Sequence, residues 1–429
     1  MNSALAMILA GGRGRRIDIF CQHRAKPALF FGGTARVIDF TLSNCVRSMI
    51  DSIAVLTDYQ RDSMANYVNK WYAVNTRSQD MYILEPGNGS YQGTADAVYQ
   101  NIDFLERDDS ELVMVLAGDH VYKMDYQKML AYHRQVGADA TVAVIPVPIS
   151  EAHRFGIVTI DGSVRITDFI EKPDVPRSNL VSMGIYVFNK RMLIERLIED
   201  AASPDSPHDF GRAIMPDMIK RDRVAAYRFN RYWRDIGTPE AYFESNMELR
   251  PQSPSFSLDG MWPVMVGPQQ SSSPTISGQG RVRNSVVSPG CIIKGFVEDS
   301  ILSPGVLVEE EAVVRNSVIM SDTSIGFHSV VDHCVLGEDV NVGRACYLGF
   351  GSTVTPGENG GVTLLGDGVT VPPYSTIGRN CKISPNADPE DFAERMVPAN
   401  TVISPLINRG PCRYDGEVFG HVNKSIFAP

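Results

Sequence analysis

Between Leu9 and Gly33 the sequence reads LAGGRGRRIDIFCQHRAKPALFFGG, five glycines and six basic residues (His23 included) directly behind the apolar run ALAMI. Glycines let backbone N–H groups turn toward an anion, and arginine and lysine supply the opposing charge, so phosphate binding suits this composition. A Walker A loop would close on Gly-Lys-Ser/Thr, which this stretch lacks, and a dinucleotide fingerprint would place a third glycine where Ile17 stands. What is left is a strand-to-loop turn that can wrap a nucleotide's phosphates and base, with Arg16 and Lys26 neutralising charge. A purely structural glycine turn fits the same letters. Asp119 in LAGD and Asp235 in WRD are carboxylates beside apolar runs, where an aspartate also serves as a helix cap, and Glu171-Lys172 in IEKP reads equally as a solvated pair. His120, His133, His153, His328, His333 and His421 show no metal-ligand spacing and receive no role, and no Ser-His-Asp or Cys-His constellation stands out.

The elements that must position these residues follow two grammars. Up to about residue 250, apolar runs (ALAMILA, SIAVLT, ELVMVLAG, ATVAVIPV) alternate with amphipathic segments such as TADAVYQNIDFLERDD. That alternation predicts an α/β domain on a mostly parallel sheet over residues 1–250. Residues 251–274 are rich in proline and serine and read as a linker. From 275 to 429 the period becomes six: Ile301, Leu307, Val313, Ile319, Ile325 and Val331, then, after a slip of one residue, Leu336, Val342, Leu348 and Val354. A six-residue period predicts a hexapeptide β-helix that stacks aliphatic side chains inward, with glycines at its corners; a β-sandwich with coincidental spacing is the alternative.

At 429 residues and a formal charge of −10 the chain has room for two or three domains, and its charge argues against non-specific nucleic-acid binding. No apolar run approaches the ~18 residues of a membrane span, and the first residues lack a charged segment followed by a cleavage site, so a cytoplasmic protein is expected. Seven cysteines without CxxC spacing predict reduced thiols rather than disulfides or zinc.

The motif LAGGRGRRI…RAKPA resembles the signature of the sugar-nucleotide pyrophosphorylases. IDFTLSNC, YQGTADAVYQN, LAGDHVYKMDY, FGIV, FIEKP, SMGIYVF, HDFG and YWRDIGTPEAY follow in order, and together they are similar to the bacterial ADP-glucose pyrophosphorylases across both halves of the chain. The resemblance implies a Rossmann-like nucleotidyltransferase domain followed by a left-handed parallel β-helix, with transfer of AMP from ATP to α-D-glucose 1-phosphate and release of pyrophosphate. It implies Gly11, Gly12, Arg13, Gly14, Arg16, Lys26, Gly93 and Gly118 around the nucleotide, with Arg16, Lys26 and Asp119 catalytic. Mg²⁺ would be held by Asp119 and Asp235. Tyr91, Gly156, Glu171, Lys172, Ser182, Asp209 and Asp235 would surround glucose 1-phosphate, with His208 structural. It further implies a homotetramer controlled by small anionic effectors, and places His23, Arg24, Asp58 and Ser90 in that control. This chain departs from the family's pattern at Arg15, where threonine is common, at Asp58 (glutamine) and at Ser90 (tryptophan). The alternatives are a non-catalytic regulatory subunit, an acyl-transferring or scaffold relative, and an enzyme using another nucleotide or sugar phosphate.

Overall fold

The structure is a computed structural model that describes residues 4–405 apart from 77, 88, 253, 269–271 and 352–360. The strands that matter for the site are β1 (Ala4–Leu9), β2 (Ser52–Leu56), β3 (Asp80–Leu84), β4 (Leu112–Ala117), β5 (His120–Tyr122), β6 (Ala140–Pro146), β7 (Gly156–Ile160), β8 (Ile166–Glu171), β9 (Leu180–Asn189), β10 (Val224–Arg228) and β11 (Trp233–Asp235). Nine of them form one sheet in the order β8-β7-β9-β4-β1-β2-β3, with β6 pairing β9 and β10. β4, β1, β2 and β3 run parallel, and β9 enters antiparallel to β4, so the sheet is mixed. Near-continuous apolar strands such as ALAMIL and LVMVLA are what a sheet buried on both faces requires. One core cluster gathers Ile8, Leu42, Trp71 and Met114, and the other Leu5, Val113, Phe188 and Met218. Parallel strands expose the loops after their carboxyl ends along one rim, and the loops after β1, β2 and β4 meet there.

The second half winds into a left-handed parallel β-helix with three sheets of six, seven and seven strands. Its register corrects the periodic series read from sequence. Leu302, Val308 and Val314 point inward, whereas Ile301, Leu307 and Val313 face outward; from Ile319 through Leu348 the series coincides with the interior. Val354 and His421 lie outside the described residues. The cause is a coil of seventeen residues instead of eighteen: the corner that holds Asp299, Asn316 and His333 (φ 48°, 47° and 56°), left-handed like the residues at the other corners, is one residue shorter than they are. The slip therefore recurs every coil. The outward Ile301, Val318, Val335 and Leu364 bury against Phe20, Phe31 and Phe243 of the first half.

The Pro/Ser-rich stretch is irregular but is no loose tether. Trp71 Nε1 and Arg47 Nε donate to the carbonyls of Met265 (2.9 Å) and Pro263 (2.8 Å), and Asn75 Nδ2 donates to that of Val266 (2.8 Å). Helices α1 (Val37–Arg47) and α2 (Arg61–Asn75) thus hold a strap that leads to the β-helix. Proline supplies no N–H for a ladder, and side chains of the two helices satisfy the strap's carbonyls instead.

Candidate active site

β1 stops at Leu9, and the chain turns over the edge of the sheet. A Cβ on Gly11 would stand 2.8 Å from Cβ of Asp58, and Gly14, at φ 61°, turns back over Cys21 and Lys26. Glycine is needed at both for different reasons, close approach at Gly11 and backbone conformation at Gly14. Gly93 is needed as well, because a side chain there would run into the carbonyl of His208, and Gly118 sits tight on Leu9. The turn opens a cavity of ≈ 350 Å³ lined by Gly11, Gly12, Gly14, Asp58, Tyr91 and Gly93. Arg13 lies over the Tyr59 ring at 5.3 Å.

A second cavity of ≈ 250 Å³ adjoins it, lined by Arg16, Gly156, Glu171, Lys172, Ser182 and Asp235. Lys26, Asp119, Thr94 and Asp209 line both. The short antiparallel ladder of β5 and β11 pairs Asp235 with His120, which sets Asp235 beside Asp119 across more than a hundred residues of sequence. Lys26 Nζ bridges the two carboxylates, 3.0 Å from Asp119 Oδ2 and 2.9 Å from Asp235 Oδ1. Burial pulls the Lys26 ammonium toward neutrality, but Asp119 and Asp235 outweigh it and hold the pKa above that of an ordinary lysine. Burial likewise opposes ionisation of Asp235, and Lys26, His120 and Arg16 reverse the sign, leaving its carboxyl well below the usual range; Asp119 is lowered in the same way. Ligand atoms of Asp119, His120 and Asp235 all lie within 4.8 Å of one another. Two hard oxygens and an imidazole this close suit a divalent cation in the seat that the lysine ammonium now fills.

Glu171 and Lys172 end β8. Lys172 Nζ donates to Glu171 Oε1 at 2.5 Å, and Lys172 itself has φ 48°, its N–H held by the Phe155 carbonyl at 3.0 Å. A left-handed lysine is uncommon and costs energy, and the surrounding β7–β8 hairpin maintains it at the mouth of the cavity. Gly156 and Gly211 make room for the Glu171 carboxylate: a Cβ on either would stand 2.8 or 2.7 Å from Oε2. Ser182 is buried and accepts from the Gly184 N–H (3.2 Å).

The remaining residues named by the resemblance have the following surroundings. Tyr91 lines the glycine-loop cavity rather than the Lys172 pocket; its N–H donates to Asp58 Oδ2 (3.3 Å), and burial pushes its phenol up to about 12. Asp209 lines both cavities, but its carboxylate is already taken by the N–H groups of Gly211 and Arg212 and by the Thr94 hydroxyl. His208 pairs with Asp200 at 2.9 Å, a supporting contact. Ser90 is exposed. His23 lies 3.2 Å from Asn386, and Arg24 is buried between carboxylates of the β-helix rather than facing an open anion cradle.

Two residues escaped the sequence reading. His120, given no role for want of spacing, stands 3.6 Å from Asp119 and 3.9 Å from Asp235. Arg154, hidden in front of FGIV, borders the second cavity with Nε and Nη2 inaccessible to water and without a hydrogen-bond partner among the described residues; Nη2 is 4.0 Å from Asp235. A buried guanidinium left this incomplete is the kind of exception a ligand-free site presents.

Known proteins complete the picture. The nucleotidyl transferase family model matches residues 5–252, and the model for the GlmU-like C-terminal hexapeptide region matches residues 270–371. Proteins named glucose-1-phosphate adenylyltransferase from Acetivibrio thermocellus and Thermomicrobium roseum are 41% and 43% identical to this chain, covering 90% and 95% of it and 94% and 99% of their own lengths. One of the same name from Fervidobacterium nodosum is 40% identical over 94% of this chain and 98% of itself. A glycine-loop cavity, a Lys-Glu pocket and a carboxylate pair between them, on a chain this similar from end to end, mean that the protein belongs to the glucose-1-phosphate adenylyltransferase family of nucleotidyl transferases.

Proposed function

We propose that the protein joins ATP and α-D-glucose 1-phosphate into ADP-glucose and pyrophosphate, the reaction that commits glucose to α-glucan synthesis. The observation that carries this reading is the Lys26–Asp119–Asp235 cluster, which stands at the wall shared by the two cavities, where the α-phosphorus and the sugar phosphate would meet. A phosphate oxygen of the sugar attacks the α-phosphorus, the bond to the bridging oxygen breaks, and pyrophosphate leaves with that oxygen. Both partners are anions, so the work of the site is alignment and charge neutralisation, with no need for a protein nucleophile.

Gly11, Gly12 and Gly14 offer the nucleotide a close backbone, and Arg16 and Lys26 meet its phosphates. Lys172 exchanges Glu171 for the sugar phosphate, which frees the Glu171 carboxylate to accept from sugar hydroxyls. Asp119 and Asp235, with His120 beside them, would hold Mg²⁺ once Lys26 turns to the phosphates; the ion would supply Lewis-acid neutralisation of phosphate charge.

Among the described residues no helix is long and apolar enough to cross a membrane, and ATP and sugar phosphate are cytoplasmic metabolites, which favours the cytoplasm. A homotetramer is supported by an outward row on the β-helix, Phe296, Val313, Val330 and Tyr347, half-buried and apolar, with Met396 exposed at its end. Small anionic effectors at the seam near His23 and Arg24 would have to displace carboxylates already there. The test is pyrophosphate release from a panel of nucleoside triphosphates and sugar 1-phosphates, with the product identified by mass. Turnover confined to ATP with glucose 1-phosphate is expected, and preferential use of another pair would replace the reading.

A further inference from the structure

Glu338, on the corner of the β-helix after the inward Leu336, stands where two arginines of the catalytic half converge. Arg24 Nη1 reaches Glu338 Oε1 at 2.5 Å, and Arg24 Nη2 reaches Asp367 Oδ2 at 2.5 Å. The Glu338 N–H donates to Asp367 Oδ1 (2.9 Å), which fixes the two carboxylates against each other. Arg36 Nη1 lies 3.9 Å from the same Glu338 oxygen and donates to the carbonyl of Ala28. The two arginines therefore bracket the single 3-10 turn Lys26–Ala28, which carries the lysine that bridges Asp119 and Asp235. The turn's own backbone bonds are two, from Ala28 N–H to Ala25 and from Leu29 N–H to Lys26, and Ala25, Ala28 and Leu29 pack it against the core, so the arginines are the charged contacts that reach it from the β-helix side.

We infer that Glu338 is a positioning residue for Lys26, acting from the β-helix through Arg24 and Arg36. Arg24 shares its charge equally between Glu338 and Asp367, and Arg36 lies over the Phe30 and Tyr67 rings (4.3 and 4.9 Å) with its Nη1 on the Ala28 carbonyl. Glu338 is the carboxylate that both arginines approach, at 2.5 and 3.9 Å. Loss of that charge lets the turn drift, and a displacement of about 1 Å at a reacting group costs on the order of 10²-fold in rate. The inference rests on the proposed role of Lys26, and its test separates the two.

Glu338→Gln keeps the size and one acceptor and removes the charge. It is compared in the full chain with Glu338→Asp, Lys26→Gln and the double variant Glu338→Gln/Lys26→Gln, with labelled glucose 1-phosphate so that weak turnover is measured. Light scattering and thermal unfolding verify assembly and folding. Glu338→Gln is expected to lower kcat at least 10-fold with both KM values within threefold, Glu338→Asp to recover most of the loss, and Glu338→Gln to change kcat less than twofold once Lys26 is glutamine. A folded Glu338→Gln protein with kcat within twofold of wild type, or the same fold loss in both backgrounds, overturns the inference. Should Glu338→Gln fail to fold, Asp367→Asn takes its place: it frees one side of Arg24 and must lower kcat at least threefold, again only when Lys26 is present. Wild-type turnover by Lys26→Gln alone overturns the site reading instead.

Discussion

On the proposed reading Lys26 fills the seat of a divalent cation, and Lys26→Met tests this by keeping most of the length and removing the charge. Two charge-assisted hydrogen bonds are lost, at about 1.5–3 kcal/mol each. Asp119 is 35% exposed and can turn to water, so most of the loss falls on Asp235, whose side chain is 7% exposed. A destabilisation of about 2–4 kcal/mol follows, or roughly 4–8 °C in Tm. The pH dependence is the sharper readout. In wild type the Asp235 pKa lies below that of an unfolded carboxylate, so its contribution is present above the unfolded value and is lost only as the pH falls through the lower folded one. Wild-type stability from this group is therefore level between pH 5 and pH 8. Without Lys26, burial is the leading influence and raises the Asp235 pKa, so the penalty for ionising it grows as pH rises. The Tm gap between wild type and Lys26→Met should widen from pH 5 to pH 8. Mg²⁺ without nucleotide should narrow it, raising the Tm of the variant more than that of wild type, because the two carboxylates then lack any competing ammonium. Differential scanning calorimetry at both pH values, with and without Mg²⁺, decides. A gap independent of pH together with equal Mg²⁺ shifts would refute the reasoning.

Three further changes probe the surroundings. Lys172→Gln should raise the KM for glucose 1-phosphate on the order of 10–100-fold and leave that for ATP nearly unchanged, since the loss is one hydrogen bond to a charged group; an equal rise in both would make Lys172 a scaffold residue. Arg154→Met should lower kcat/KM at least 10-fold with little change in Tm, because Nε and Nη2 are buried without a hydrogen-bond partner among the described residues and the ion pair to Asp235 is long, at 4.0 Å; a fall in Tm with normal kinetics would make the arginine structural. Burial pushes the Asp39 carboxyl up to about 7, against the Arg36 N–H and the Tyr67 hydroxyl, so wild type loses stability as pH rises toward that value. Relative to wild type, Asp39→Asn should accordingly gain Tm between pH 5 and pH 8, and a constant difference across that range would contradict it.

What the letters revealed and what they concealed divides along the range of the interactions. The glycine loop was legible because its demand at Gly14 is local, a left-handed backbone turning over Cys21 and Lys26, whereas Gly11 is required by Asp58, which arrives from the next strand. The β-helix was legible as a period but not as a register, because only aliphatic spacing was visible; the corner of Asp299, Asn316 and His333 is one residue shorter in each coil, and those letters are ordinary surface ones. His120 was passed over because ligand spacing was sought along the chain, whereas the pairing of β5 with β11 assembles the cluster across it. The surroundings of Arg24 were hidden for the opposite reason. Its neighbours His23 and Lys26 make a basic stretch, and nothing within three hundred residues announces that Glu338 and Asp367 will arrive to neutralise it.

That last case says something about what the β-helix does for the catalytic half. Outward aliphatics such as Ile301 and Val318 would attach the two halves on their own, since apolar burial is non-directional and tolerates small slides. A carboxylate between two guanidinium groups does not tolerate them: its energy depends on distances of a few ångströms, and removing either sign strands the other in a place with little water. The ionic contact adds to the apolar seam a fixed position for Arg24, and through two residues of backbone a fixed position for Lys26. An anion arriving at that seam would meet Glu338 and Asp367 already on the same arginines, two residues of backbone from Lys26.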